Sequence, residues 1–214
     1  MQTMAEFYKV KKKYVLRAGI ALGIMLIGIS LVINGLRVND YKITIAKIRN
    51  QKDEYFKESE NSPIPDQENF RGLLYYDTEP RYKVTAKLHY IDTLSLIRVL
   101  RNDGKLTQYR RFAHATFTLD NVPHTVVLLK LLNEEDGNLF LPFTDMTNGK
   151  ETYRAGRYLD IHWKKQQKTI DIDFNLAYNP YCVYNYKYSC PIPPRENFIK
   201  AFIHAGEKMA LEQE

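Results

Sequence analysis

Two cysteines, one tryptophan and five histidines are all that these 214 residues hold of those types. A structural zinc site wants four ligands, commonly in close pairs. Cys182 and Cys190 stand eight positions apart with His162 and His204 as the nearest histidines, a poor fit. No H-x-x-x-H spacing, G-x-S-x-G elbow, glycine-rich phosphate loop or dinucleotide fingerprint occurs, so no metal and no cofactor is expected. An excess of one charge is also missing from most of the chain. The formal net charge of +6 sits almost wholly in the first 37 residues, where six Lys/Arg face only Glu6. The rest is nearly neutral. Binding to DNA or RNA needs a concentrated basic face, so no nucleic-acid partner is expected.

Long apolar runs are scarce too, with one exception. The stretch "AGIALGIMLIGISLVINGL", residues 18–36, has no charge and only Ser30 and Asn34 as polar side chains. Nineteen helical residues at about 1.5 Å each cross the roughly 30 Å hydrocarbon core of a bilayer. Lys9, Lys11, Lys12, Lys13 and Arg17 precede it, while Arg37 to Ile48 holds only Arg37, Lys42 and Lys47 against Asp40. The positive-inside bias therefore predicts a cytoplasmic amino terminus and a domain on the far side, the periplasm of a bacterial inner membrane. A cleaved signal peptide would have a shorter apolar region and a small-residue cleavage site. "SLVINGLRV" offers no such triplet, so an uncleaved signal anchor in the lipid bilayer is expected. Gly19 and Gly23 form a G-x-x-x-G on which a helix of a membrane-protein partner would seat.

Four segments follow from this reading: a basic segment 1–17, a transmembrane anchor 18–36, an amphipathic stalk helix 37–60 and an extracytoplasmic domain 61–214. In the stalk, Tyr41, Ile45, Ile48, Tyr55 and Phe56 recur at helical spacing among charged residues. Strands come next. "RYKVTAKLHY" and "KTIDIDFN" alternate apolar with polar residues, and "HTVVLLKLLN" is apolar enough to be a central strand. Asp103-Gly104, Asp136-Gly137 and Asn148-Gly149 favour tight turns. Six to eight strands predict a mainly β domain, an antiparallel sandwich or barrel-like sheet. Flanking helices are expected at both ends. The second covers "PRENFIKAFIHAGEKMALEQ", where Phe198, Ile199, Phe202 and Ile203 fall on one helical face.

Two regions are dense in chemically capable side chains. "FNLAYNPYCVYNYKYSCPIPP", residues 174–194, interleaves Tyr178, Tyr181, Tyr184, Tyr186 and Tyr188 with Asn175, Asn179 and Asn185. Such rings bury apolar area and hydrogen-bond through their hydroxyls, as a cover over the sheet or as a platform that stacks on a sugar or other ring. Cys182 and Cys190 within it are expected to be structural, either bridged or as two buried thiols. "DMTNGKETYRAGRYLD", residues 145–160, gathers Asp145, Glu151, Arg157 and Asp160, with Asp173 one strand away. Carboxylates around an arginine form turn-stabilising salt bridges, an acid/base pair or a seat for a hard cation.

The string "LFLPFTDMTNGKETYRAGRYLD" followed by "IDFNLAYNPYCVYNYKYSCPIPPRENFIKAFIHAGEK" resembles the bacterial domain of unknown function 1684. "FRGLLYYDTEPRYKV" looks like the same family's first motif. The resemblance runs from about Phe56 to Lys208 and implies a shared fold without a known reaction. Arg154 stands where members of that family usually carry glycine, and a positive φ would strain an arginine there. The resemblance also implies a shared pocket built from Glu151, Tyr153, Arg157, Tyr158, Asp160, Asn175, Tyr178, Asn179, Tyr181, Cys182 and Cys190. The expected role is a membrane-anchored accessory or scaffold subunit, or a small-ligand-binding module. The alternative is an envelope enzyme of hydrolase or isomerase type, with Glu151, Asp160 and Asp173 converging on Arg157.

Overall fold

A computed structural model describes residues 4–132 and 137–209, with side chains of the first helix described from Leu22 onward. Asp136 of the expected Asp136-Gly137 turn, and the side chains of the basic amino-terminal segment, lie outside the described residues. One helix, α1 (Met4–Glu58), continues through the segments expected as anchor and stalk. The chain divides into two compact units, Met1–Thr44 and Ile45–Glu214. In the first, α1 is long and apolar enough to cross a membrane, and its apolar window is not buried against protein. A core helix of this composition would hide those side chains. In the second unit the last turns of α1 bury Ile45 and Phe56. Arg49 donates to the carbonyls of Tyr76 (2.8 Å) and Asn175 (3.1 Å). Gln67 Nε2 donates to the carbonyls of Phe56 and Ser59, which also accept from the Ser62 hydroxyl and Ser62 N, and together these close the helix end.

Eight strands follow among the described residues: β1 (Lys83–Tyr90), β2 (Leu96–Leu100), β3 (Leu106–Leu119), β4 (Val122–Leu131), β5 (Asn138–Asp145), β6 (Arg157–His162), β7 (Thr169–Asp173) and β8 (Phe198–Ile199). The sheet order is β6-β5-β4-β3-β1-β7, antiparallel throughout, with β2 beside the first half of β3 and β8 parallel to β5. A register shift between Arg111 and Ala113 bends β3 where it exchanges β2 for β1 as neighbour. The result is the expected mainly β, barrel-like architecture, a curled half-barrel whose β6 and β7 line opposite sides of an open seam of about 570 Å³. The inner face holds the main core, including Tyr82, Ala86, Leu128, Leu141, Phe143 and Phe174. β4 is buried on both faces, with Val126 and Leu128 inward and Val127 and Leu129 packed on Tyr109 at the back. This is why its sequence reads as an unbroken apolar run.

Asp103-Gly104 does turn β2 into β3, with Gly104 at φ +80°. Asn148-Gly149 instead lies inside a longer loop between β5 and β6. The tight turn of the longest hairpin is Asp120-Asn121, at φ 49° and 63°, a left-handed pair matching the right-handed strand twist.

The expected carboxy-terminal helix is absent among the described residues. Arg195–Asn197 forms one 3-10 turn, β8 follows, and the chain then runs to Met209 without a helix, bending at Lys200–Ala201 and at Gly206. Ile199, Ile203 and Ala205 are buried while Phe198, Phe202 and His204 are open, a period of two that the aromatic residues disguised as a helical face. The carbonyls of Ile203, Ala205 and Glu207 also accept hydrogen bonds from Arg157. A helix would have spent them on its own ladder.

Candidate functional site

Arg157 starts β6 inside the protein, fully buried. Its Nη2 meets Asp145 Oδ2 at 2.8 Å, both side chains out of water, and its guanidinium ties the carboxy-terminal segment to the sheet. Asp145 Oδ1 also accepts from the backbone and hydroxyl of Thr147. The pair is a strut. Gly156 makes the approach feasible: at φ +103°, an added Cβ would lie 2.5 Å from the Phe143 carbonyl. The positive φ thus falls on Gly156, and Arg154 carries no such strain.

The other carboxylates of the sequence reading go separate ways. Glu151 accepts from the Tyr76 hydroxyl (3.0 Å) and stands 3.3 Å from His204 Nε2. Asp173 accepts from the backbone and side-chain amides of buried Asn175, whose own side chain exchanges hydrogen bonds with the Glu79 backbone. Asp160 faces a sizeable cleft and, with Asp173, also borders the seam between β6 and β7. Glu151, Asp160 and Asp173 do not converge on Arg157.

What does converge is aromatic. The Tyr-rich segment covers the back of β4, β5 and β6, pinned to the β2–β3 hairpin. Cys190 N donates to Asn102 Oδ1 (2.7 Å), Asn102 N to the Cys190 carbonyl (3.0 Å) and Ile192 N to the Leu100 carbonyl (2.7 Å). Between segment and sheet opens a cleft of about 780 Å³, walled by Phe56, Tyr109, Phe140, Tyr158, Tyr178 and Tyr181, with Lys52, Asp160 and Cys190 at its margin. The rings brace one another edge to face, Phe140 on Tyr158 at 4.9 Å and Phe56 on Tyr181 at 5.6 Å. The Tyr178 hydroxyl donates to Asp160 Oδ2 at 2.7 Å, while burial and that neighbouring charge push its pKa up and keep it a donor. Of the sequence-derived pocket, Tyr158, Asp160, Tyr178, Tyr181 and Cys190 line this cleft. Glu151, Tyr153, Arg157, Asp173, Asn175, Asn179 and Cys182 do not.

Glu207 escaped the sequence reading. It is 1% exposed and accepts from Lys52 Nζ (2.5 Å), Asn179 N (2.8 Å) and the Tyr184 hydroxyl (2.7 Å). Lys52 lies 4.7 Å from the Tyr178 ring centre and joins the cleft to a second hollow of about 230 Å³, bounded also by Arg49, Tyr75 and Asn175. Burial, with Glu207 nearby, raises the pKa of Asp53 on the same helix. The only sequence signal for this cluster was charge inside an otherwise ordinary Ala-Gly-Glu-Lys string.

The two cysteines are free thiols. Cys182 lies in the 3-10 turn Tyr181–Val183, and its backbone N–H donates to Cys190 Sγ at 3.3 Å. The neighbouring Cys190 side chain raises the pKa of the Cys182 thiol, while the Cys182 side chain and backbone N–H lower that of Cys190, helped by the Arg101 charge.

Comparison with known proteins gives kinship without chemistry. The family model described as protein of unknown function (DUF1684) matches residues 68–208. The solution NMR structure of an uncharacterized protein from gene locus rrnAC0354 of Haloarcula marismortui is similar at 33% identity and a TM-score of 0.65, covering 82% of this chain and 98% of that one. No curated protein matches.

Proposed function

This chain belongs to the family of proteins of unknown function DUF1684, and from that premise we propose that it is a membrane-anchored small-ligand-binding module. The reading has the domain on the periplasmic side of a bacterial inner membrane, held by α1 with its amino terminus in the cytoplasm. The observation that carries the binding role is the cleft itself. Its volume of about 780 Å³ is within the range that holds a small organic molecule. Its walls are mostly ring faces and edges, with one cation, Lys52, and one carboxylate, Asp160, at the margin. Rings stack on flat or ring-shaped ligands, and one charge of each sign favours a ligand with little net charge and hydroxyl or amide groups at one end.

The enzyme alternative finds less support. It needs carboxylates gathered around Arg157 at one open place, whereas Arg157 is buried and spent on Asp145 and three backbone carbonyls. Glu151 and Asp173 each serve a separate structural contact.

Calorimetric titration of the full chain in detergent micelles, with a set of neutral hexose and aromatic-ring compounds, tests the reading. Saturable heat with at least one of them is expected, and Tyr181→Ala, which removes a ring from the wall, weakens it by about 1–3 kcal/mol. Should the whole set produce no heat while the chain co-purifies at fixed ratio with another membrane protein, the accessory-subunit role replaces this one.

A further inference from the structure

The Tyr-rich cover carries a chemical feature that ligand stacking does not use. Cys182 and Cys190 are eight residues apart, yet the Cys182 backbone N–H reaches Cys190 Sγ at 3.3 Å. Cys190 is 8% exposed and forms part of the cleft wall, while Cys182 is more open, on the outer turn beside Tyr153. Each is held from a different side. Cys190 is pinned to Asn102 of the β2–β3 hairpin through both its N–H and its carbonyl. Cys182 belongs to the 3-10 turn whose Tyr181 ring packs on Phe56 of α1. Between them only Tyr186 and Lys187 are open, Tyr186 88% exposed, while Tyr184 reaches inward to Glu207.

We propose that Cys182 and Cys190 are a reversible thiol–disulfide site, oxidised by exchange with an external disulfide. The proposal is independent of which ligand the cleft takes. In the first step Cys190, as thiolate, attacks one sulfur of the external disulfide and expels the other half as a thiolate, leaving a mixed disulfide on Cys190. In the second, Cys182 gives up its proton to solvent and its sulfur attacks Cys190 Sγ, expelling the remaining half. Two protein thiols are oxidised and one external disulfide is reduced to two thiols. The geometry serves both steps. The Cys182 N–H and the Arg101 charge stabilise the attacking thiolate, and the cleft gives a slim disulfide a path to it. The new bond ties the turn carrying Tyr181 directly to the strand-pinned Cys190, so the cover becomes a fixed wall.

The test uses the full chain in detergent micelles, equilibrated with mixtures of reduced and oxidised glutathione, quenched in acid, alkylated and weighed. One transition is expected, in which both thiols vanish together and the chain takes up neither alkylator nor glutathione, reversed by dithiothreitol. Cys182→Ser and Cys190→Ser each stop at a mixed disulfide with glutathione. Chains that carry two glutathiones, thiols that stay alkylatable at every ratio, or a bridge that dithiothreitol does not open under native conditions would each overturn the proposal. A second readout does not require the variants to fold. Brief iodoacetamide treatment of the native reduced protein at neutral pH labels Cys190 before Cys182 despite its deeper burial. Labelling of Cys182 first overturns the assignment of the attacking sulfur. In folded Cys182→Ala, which takes the neighbouring side chain away from Cys190 Sγ, the labelling rate at Cys190 falls several-fold.

Discussion

Arg157 shows how a residue type that usually signals chemistry is consumed by architecture. Its guanidinium meets one carboxylate and three carbonyls, all away from water. Removing one partner of a buried pair leaves the other charge unsolvated, which costs about 3–5 kcal/mol. Arg157→Met should therefore lower the unfolding free energy by that amount in a urea titration, with Asp145→Asn/Arg157→Met recovering part of it. A loss under about 1 kcal/mol would mean that Asp145 finds water or another partner. The density of polar residues around position 150 was legible in the sequence, but its use was not. Spacing along a chain says nothing about whether Arg157 points to the interior or to the cleft, because that depends on the β6 register against β5. Asp160, three residues on, has the opposite fate and reaches the open side, where it holds Tyr178. Glu207 was still less visible, since its value comes from Lys52, 155 positions away.

At the scale of elements, alternation and turn chemistry were the reliable guides. β1 and β7 sit where the period-two pattern put them, and the apolar run of β4 became a strand buried on both sides. The carboxy-terminal segment failed because Phe198 and Phe202 face outward, so their apolar character pointed the wrong way. The Asp120-Asn121 turn was passed over for lack of a glycine, although both residue types tolerate left-handed backbone better than most. It supplies a clean test. Asn121→Val places a β-branched residue at φ 63° and should cost roughly 1–2 kcal/mol in thermal or urea unfolding, whereas Asn121→Gly should stay within about 0.5 kcal/mol. Equal losses from both would show that the Asn side chain, not the backbone angle, sets the turn.

For the molecule as a whole, the first prediction concerns location. Full-length protein should remain with the membrane pellet through an alkaline carbonate wash. Ile27→Lys should move a large share to the supernatant, since a central charge costs about 2.5–3.5 kcal/mol on insertion scales. A wild-type chain released by the wash would remove the anchor from the account. The half-barrel carries a consequence of its own for biosynthesis. β1 pairs with β7, and more than 75 residues lie between the end of one and the start of the other. At about 5–20 residues per second, a ribosome takes roughly 4–16 s to make that interval. Until then one flank of β1 has no hydrogen-bonding neighbour, and apolar Val84, Ala86 and Leu88 have no closing strand. The nascent chain is thus committed to a waiting period, during which a holdase or the translocation machinery must shield an adhesive edge from its copies on neighbouring ribosomes.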